Sequence, residues 1–402
     1  MRNTYIVGGA VRDHLLGVKS NDTDYVVVNS TVADMLDRGF TSVGKDFPVF
    51  LHPETQDEYA LARRERSTGP SYNDFEVETN NVTLEEDLLR RDLTINSIAM
   101  ALDGTIIDPY NGQADIKNKV LRHTSEAFKE DPLRVLRLAR FRANLGYEWK
   151  IAYDTKALVS KTWTQLSSLQ PDRVWKEIEK VKDLRVFFET LFELGVLDLV
   201  FPHIYELTTC KEGSKYHMEP SVFVHTMMML DILKDQPMRI KMAALYHDIA
   251  KPFTYMKYGC SRNHADLQLI EDRLDIQIPT KMRKQVLFMC ENHVKVHQTH
   301  EMSDKTLAKW LRQFKSLQQL RDLLILSHAD DEGRVALTEK EQLDDAFLLA
   351  VLTVMLSYSP AEWILKQESP PNGETIKQHI HKTNISFVRY YRKRYALIYP
   401  DS

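Results

Sequence analysis

Short apolar runs separated by turn residues mark the N-terminal part of the chain, and apolar positions at helical spacing mark the rest. Tyr5-Ile6-Val7, Tyr25 to Val28, Phe47 to Leu51 and Thr105-Ile106-Ile107 read as strands. Few helices interrupt them, so residues 1–145 are expected to form a small strand-bearing head. From Glu130 onward the period is helical almost to the end. The chain is accordingly divided into a head (1–145), a neck (146–215), a His-rich helical block (216–335) and a tail (336–402). The neck contains amphipathic helices such as Asp172 to Lys182 and Arg185 to Leu194. The expected class is α+β, a head with a β-sheet followed by all-α blocks. Inside the head, Arg63-Arg64-Glu65-Arg66-Ser67-Thr68-Gly69-Pro70-Ser71-Tyr72 is polar, basic and turn-rich, and reads as a mobile loop. The most apolar stretch, Ala346 to Tyr358, is too short to span a bilayer and reads as a buried helix.

Composition narrows the class. A chain of 402 residues accommodates about two to four domains. A net charge of −4 excludes a globally basic nucleic-acid binder, so any RNA would be held by local patches. Cys210, Cys260 and Cys290 are widely spaced and form no C-x-x-C, which fits a reducing compartment without a disulfide framework. No signal-peptide pattern precedes the first strand, so a cytoplasmic protein with no membrane partner is expected.

The chemistry begins with Asp22-Thr23-Asp24 at the head of the Val-rich run Tyr25 to Val28. Alternate residues of a strand share a face, which sets Asp22 and Asp24 about 7 Å apart on one side. Two such carboxylates can share a pair of hard divalent cations, the arrangement of two-metal phosphoryl and nucleotidyl transfer. An Asp-rich turn leading into a strand has the same residues, and only the neighbours decide. Gly8-Gly9 lies between a strand and the helix that begins near Ala10. Glycines there let backbone approach a phosphate, and Arg12 in the first turn adds charge.

Arg90-Arg91-Asp92-Leu93-Thr94-Ile95-Asn96 reads either as a solvated charge run or as a nucleotide contact, with Arg91 on phosphate or ribose and Asn96 on ribose. Asp108-Pro109-Tyr110-Asn111-Gly112 reads as a structural turn. In Glu130-Asp131-Pro132-Leu133-Arg134-Val135-Leu136-Arg137-Leu138-Ala139-Arg140-Phe141, Asp131 suits an N-cap and Pro132 the first helical turn. Arg134, Arg137 and Arg140 recur every three residues and form one stripe, which repels itself unless anions meet it. An exposed basic face is the plainer alternative. Arg173 and Glu177, four residues apart, read as a structural pair joining head and neck.

In order and sequence, GGAVRD (8–13), DTDYVVV (22–28), RRDLTINSIA (90–99), DPYNG (108–112), EDPLRVLRLARF (130–141) and DRVWKEIEK (172–180) resemble the class II CCA-adding tRNA nucleotidyltransferases. The bacterial type with an HD phosphohydrolase domain is the closest match. The resemblance implies a polymerase β-like head and template-independent addition of CCA to tRNA from CTP and ATP. It makes Asp22 and Asp24 the catalytic, Mg2+-binding carboxylates, and Gly9, Arg12, Arg91, Arg137 and Arg140 nucleotide contacts. Asp131 and Arg134 become the pair that reads the incoming base. Cytosine and adenine both present an amino donor beside a ring acceptor, which a carboxylate beside a guanidinium matches. Guanine and uracil present the reverse order. An ordinary intrahelical Asp–Arg pair is the alternative. The resemblance further implies that the segment from Arg63 to Tyr72 moves between C and A addition.

His225 in Val222 to Leu233, His247-Asp248 at the end of another apolar helix, and Asp330 downstream form an H…HD…D series. A buried His next to Asp is costly without a partner, and imidazole with carboxylate is a divalent-metal ligand set. The series resembles the HD phosphohydrolases, which implies phosphatase, 2′-nucleotidase and 2′,3′-cyclic phosphodiesterase chemistry with Ni2+ or another transition metal. Ala250 departs from the HDxGK form of the motif. His264 and His293 are further ligand or phosphate-contact candidates, although a lone helical His is usually a satisfied core or surface residue. The tail segment Phe387 to Tyr395 mixes cations and aromatics as an RNA surface does, and equally as an amphipathic surface helix does. The partners expected are tRNA, ATP and CTP, the assembly a monomer or homodimer. The competing readings are a poly(A) polymerase, an enzyme adding only CC or A, a metal-dependent phosphohydrolase whose head only binds nucleotide, and a non-catalytic RNA-binding protein.

Overall fold

Val7, Val26, Val28 and Ala99 meet in one buried cluster, and Val27 faces the opposite way into a second cluster with Met35, Phe40, Phe50 and Leu61. That alternation covers both faces of a mixed sheet. The computed structural model describes residues 3–20, 23–43, 49–67, 75–211, 219–334 and 345–398. It divides into two units, Met1–Val200 and Phe201–Ser402.

In the first unit the order is β1 (Thr4–Val7), α1 (Gly9–Leu15), β2 (Asp24–Val27), α2 (Val32–Asp37), β3 (Thr41–Ser42), β4 (Val49–Leu51), β5 (Glu58–Leu61), β6 (Arg64–Ser67), β7 (Phe75–Glu78), α3 (Leu84–Leu89), β8 (Ala99–Ala101), β9 (Ile106–Ile107), α4 (Gly112–Asn118) and α5 (Leu133–Leu145). The sheet runs β3-β4-β5-β2-β1-β8-β9. β1 pairs antiparallel with β2, so Val7 faces Asp24, and β2 pairs parallel with β5. The strands read from the sequence are all present within their described residues. β5 and β8 had no separate signal.

One expectation needs correction. Within the segment read as a loop from Arg63, Arg64–Ser67 is a strand paired antiparallel with Phe75–Glu78, and residues 68–74 lie outside the described residues. Arg64 pairs with Glu78 across the ribbon at 3.0 Å and joins the ribbon to α3 through Glu86 at 2.7 Å. A ribbon whose Arg64–Ser67 strand is polar on both faces offers no apolar period to detect.

Helices Pro171–Ile178 and Leu184–Glu193 pack on α5, and the latter buries Phe187, Phe188 and Leu191. Within the second unit, helices Val222–Ile232, Met238–Tyr246, Thr280–His297 and Leu317–Glu332 pack on one another. Their interior includes Met229, Leu245, Cys290 and Leu326. Helix Asp345–Ser357 covers most of the apolar stretch and buries Phe347, Leu348, Val351 and Leu352. No helix among the described residues is long and apolar enough to cross a membrane. All three cysteines are free. In the final helix, Gly373–Ile398, Arg389 and Arg392 reach Asp304 at 3.3 and 3.2 Å, so two cations of the basic tail are already engaged within this unit.

Candidate active site and metal centre

Gly8 ends β1 with φ 70° and ψ −132°, a conformation open to glycine, and its carbonyl starts α1 by accepting Arg12 N–H. A Cβ on Gly8 would lie 3.1 Å from the Arg91 guanidinium. Backbone and cation thus approach closely at the mouth of α1. Asp24 opens β2 on the solvent side, beside that turn through its register with Val7. A solvent-facing carboxylate there is an oxygen donor suited to Mg2+. Asp22 lies outside the described residues.

From the turn, one chain of contacts joins most of the arginines singled out in the sequence. Arg12 donates to Asn96 Oδ1 at 2.8 Å and bonds Asp13. Asn96 Nδ2 donates to Asp92 Oδ1 at 3.1 Å. Arg137 donates to Asp92 Oδ2 at 2.7 Å, and Arg140 donates to Glu177 at 2.6 Å with Arg137 also near, at 3.8 Å. Arg12, Arg137 and Arg140 lie over the Phe141 ring at 5.3, 5.5 and 4.6 Å. The arginine stripe is therefore met by Asp92 and Glu177, both buried. Burial alone would raise the Asp92 carboxyl, but the charge of Arg137, the bond from Asn96 and the charge of Arg134 hold it far below the usual range.

Arg91 and Arg90 share a second buried carboxylate, Asp87, at 3.0 and 2.7 Å. Burial opposes ionisation of Asp87, and the two arginines outweigh it. The network includes three carboxylates that sequence reasoning left without a role in it: Asp87, Asp92 and Glu177. A usable signal was present, since a stripe of three arginines demands anions. Asp131 Oδ1 accepts Leu133 N–H at 3.1 Å, but α5 begins one residue later than expected, with Pro132 rather than Asp131 at its N-cap. Arg134 donates to the Ala127 carbonyl at 3.1 Å. The expected pairing of Arg173 with Glu177 is replaced by pairing across elements: Arg173 meets Asp131 at 2.9 Å and Glu177 meets Arg140. Tertiary packing offers Glu177 a more buried partner in Arg140 than its own helix does in Arg173, and Arg173 turns to Asp131 instead. The Asp108 turn is structural: both its carboxylate oxygens accept backbone N–H groups, of Gly112 and Gln113, and Asn111 is left-handed at φ 60°.

In the second unit His225, His247 and Asp330 form one group able to hold a cation, and Asp248, His264 and His293 form another. Asp248 therefore falls with His264 and His293, yet its Oδ2 is also 3.0 Å from His247 Nε2. Each imidazole is aimed by its Nδ1, which sits 3.0 Å from Gly333 O for His225 and 2.8 Å from Ala244 O for His247. A carbonyl only accepts, so Nδ1 carries the proton and Nε2 presents its lone pair, the tautomer of a metal ligand. Asp248 Oδ2 is held in an ion pair with Lys251 Nζ at 2.7 Å. His297 supports Asp330 from outside at 3.2 Å. Burial lowers the His247 imidazolium, but Asp248 and Asp330 reverse this and raise it. His293 is brought down to about 3 by burial and by the neighbouring His247 and His264.

Residues 4–122 match the family model of the Poly A polymerase head domain. The multifunctional CCA protein of Vibrio campbellii is 43% identical over 353 residues, 84% of this chain and 87% of that protein. That of Pseudoalteromonas atlantica is 42% identical over 402 residues, covering 96% and 98%. The crystal structure of the Bacillus stearothermophilus CCA-adding enzyme in complex with CTP aligns with a TM-score of 0.65 at 19% identity, over 99% of this chain and 95% of that one. A tRNA nucleotidyltransferase complexed with a primer tRNA and an incoming ATP analog aligns at 0.55 and 22% identity, over 82% and 91%. These two show a shared fold. Together with a glycine turn, an exposed strand-end aspartate and a braced arginine stripe, identity above 40% over most of the length places this nucleotidyltransferase in the family of multifunctional CCA proteins.

Proposed function

We propose that the protein adds and repairs the 3′-terminal CCA of tRNA, using CTP and ATP and releasing pyrophosphate, in the cytoplasm. The observation that carries this reading is the contact chain from Arg12 through Asn96, Asp92 and Arg137 to Glu177 and Arg140. It supports a nucleotide site whose cations keep one position whichever base enters. Gly9, Arg12, Arg91, Arg137 and Arg140 hold the triphosphate and ribose. Asp131 and Arg134 face the base, accept C and A by their donor and acceptor order, and reject G and U. Asp22 and Asp24 hold Mg2+, which when bound supplies Lewis-acid neutralisation at the α-phosphate and at the RNA 3′-hydroxyl. The chain's own contribution is orientation and fixed charge. The division into head, neck, HD block and tail at 145, 215 and 335 belongs to the same reading.

The HD block is read as a metal-dependent phosphohydrolase acting on phosphomonoesters and 2′,3′-cyclic phosphates. The buried Asp248 carboxylate beside the oriented Nε2 lone pair of His247 supports it. His225, His247, Asp248 and Asp330 are the proposed ligands, for Ni2+ or another transition metal.

The test is incubation of the purified protein with a tRNA lacking CCA, magnesium, and each labelled nucleotide alone and combined. Addition of C, C and A followed by arrest is expected, and Asp24→Ala should stop it. A long A tail would instead identify a poly(A) polymerase. CC or A alone would identify a partial enzyme, and no incorporation would leave the head as a nucleotide-binding module.

A further inference from the structure

We propose that Arg173 is a positioning residue for nucleotide selection: it fixes the direction of the Asp131 carboxylate and so sets which bases the site accepts. The inference rests on the reading of Asp131 and Arg134 as the residues that face the base, and deepens it. Both oxygens of Asp131 are tied, by donors from different elements. Oδ1 accepts Leu133 N–H at 3.1 Å, from the first residue of α5, and Oδ2 meets Arg173 Nη2 at 2.9 Å, from helix Pro171–Ile178. The carboxylate therefore cannot turn without losing one of them. A carboxylate oxygen has two acceptor positions, so each tied oxygen keeps one for an amino group of a base. The Asp131 side chain is 20% exposed, which leaves it within reach of a ligand. Arg134 is anchored separately. Its backbone N–H donates to Asp131 O at 3.0 Å, and its guanidinium donates to Ala127 O at 3.1 Å.

Arg173 adds this bond to a helix that is docked without it. Val174, Trp175 and Ile178 are buried, and Glu177 meets Arg140 at 2.6 Å. Arg173 and Glu177 are one turn apart, so their side chains leave the same face of the helix. One goes to the base-facing carboxylate and the other to the arginine stripe. An ion pair whose two side chains are 22% and 20% exposed contributes little to stability. Its consequence is direction. Cytosine and adenine bring a donor to a fixed acceptor. Uracil and guanine bring a carbonyl oxygen, and two acceptors held face to face repel. A carboxylate free to turn away relieves that repulsion for the wrong base and loosens the bond to the right one. A guanidinium suits this task better than an ammonium, because it is planar and holds an angle as well as a distance.

The experiment measures kcat/KM of the full-length enzyme for CTP against UTP on a tRNA lacking CCA, and for ATP against GTP on a tRNA ending in CC. Nucleotide affinities without tRNA give a second reading, so a variant without turnover is still scored. In Arg173→Ala both ratios should fall by about tenfold, with the unfolding midpoint nearly unchanged. Arg173→Lys should lie between this variant and the wild type. Glu177→Gln, on the same helix, should weaken all four nucleotides alike and leave the ratios in place. Adding Arg173→Ala to Asp131→Asn should relax selection no further than Asp131→Asn alone, because the arginine acts through that carboxylate. The inference falls if Arg173→Ala weakens all four nucleotides in proportion, if Glu177→Gln changes the ratios as much, or if the effects of Arg173→Ala and Asp131→Asn add. If Asp131→Asn relaxes selection and Arg173→Ala does not, the base-facing reading stands and this inference alone is lost. If Asp131→Asn leaves selection intact, both are lost.

Discussion

Asp92 and Arg137, 45 residues apart in sequence, meet at 2.7 Å, with the carboxylate buried and Asn96 completing its coordination. This pair is the brace between the glycine turn and the arginine stripe. Asp92→Asn keeps the shape but leaves Arg137 facing a neutral group. Loss of a fully buried partner costs about 3–5 kcal/mol, and the Arg137 side chain is 34% exposed, so about 2 kcal/mol is expected. Denaturant unfolding of the first unit measures it. KM for CTP and ATP should rise together, because the lost brace is indifferent to the base.

The same pair sets an acid limit. Asp92 is held below its ordinary value when folded, so the unfolded chain binds its proton first as pH falls. The stability it contributes is complete above the ordinary carboxylate value of about 4 and declines below it. Asp92→Asn should flatten that part of the curve of unfolding free energy against pH. An unchanged slope would assign the acid limit to other carboxylates, Asp87 foremost.

Gly8→Ala tests the turn. A side chain at φ 70° and ψ −132° is strained by about 1–3 kcal/mol. The added Cβ also meets the Arg91 guanidinium at 3.1 Å, a mobile group that can retreat. The expected result is a modest loss of stability and a larger loss of triphosphate affinity, read by nucleotide titration. A change in stability alone would mean that the turn is only architecture.

Gly112→Ala should be more damaging to the fold, although it lies in the structural turn. Its Cβ would clash with the backbone carbonyl of Thr94 and with Ile98, and backbone cannot step aside as a side chain can. Thr94–Asn96 is the short helix that carries Asn96. A loss of more than about 2 kcal/mol is expected, together with weaker nucleotide binding, measured by thermal unfolding with and without CTP.

Metal binding should stabilise the second unit independently of the head. At a free concentration of about 100 times Kd, a ligand specific to the folded state adds about 2.7 kcal/mol. Mn2+ or Ni2+ should raise the unfolding temperature of the stripped protein, and His247→Ala should remove the rise, and with it the phosphomonoester hydrolysis proposed for this block, while CCA addition continues. Retained hydrolysis in that variant would place the hydrolytic centre elsewhere.

By itself the sequence marked several short runs that become strands, where the helical body begins, and which residues are candidates for the head chemistry. Gly8-Gly9, Asp24 and the stripe of Arg134, Arg137 and Arg140 are legible because period, turn chemistry and spacing act within a few residues. The H…HD…D series is legible because its residue types are costly to bury unpaired. Tertiary structure decided the partners. Asp92 and Glu177 answer the stripe from 45 and 37 residues away, and Arg173 turns to Asp131 instead of its own helix. His264 and His293, each an ordinary helical or loop histidine in sequence, converge on Asp248 only when the helices pack. Local pattern reports what a residue does to its neighbours in the chain. Which charge meets which depends on the burial and geometry that packing creates, and no period encodes that.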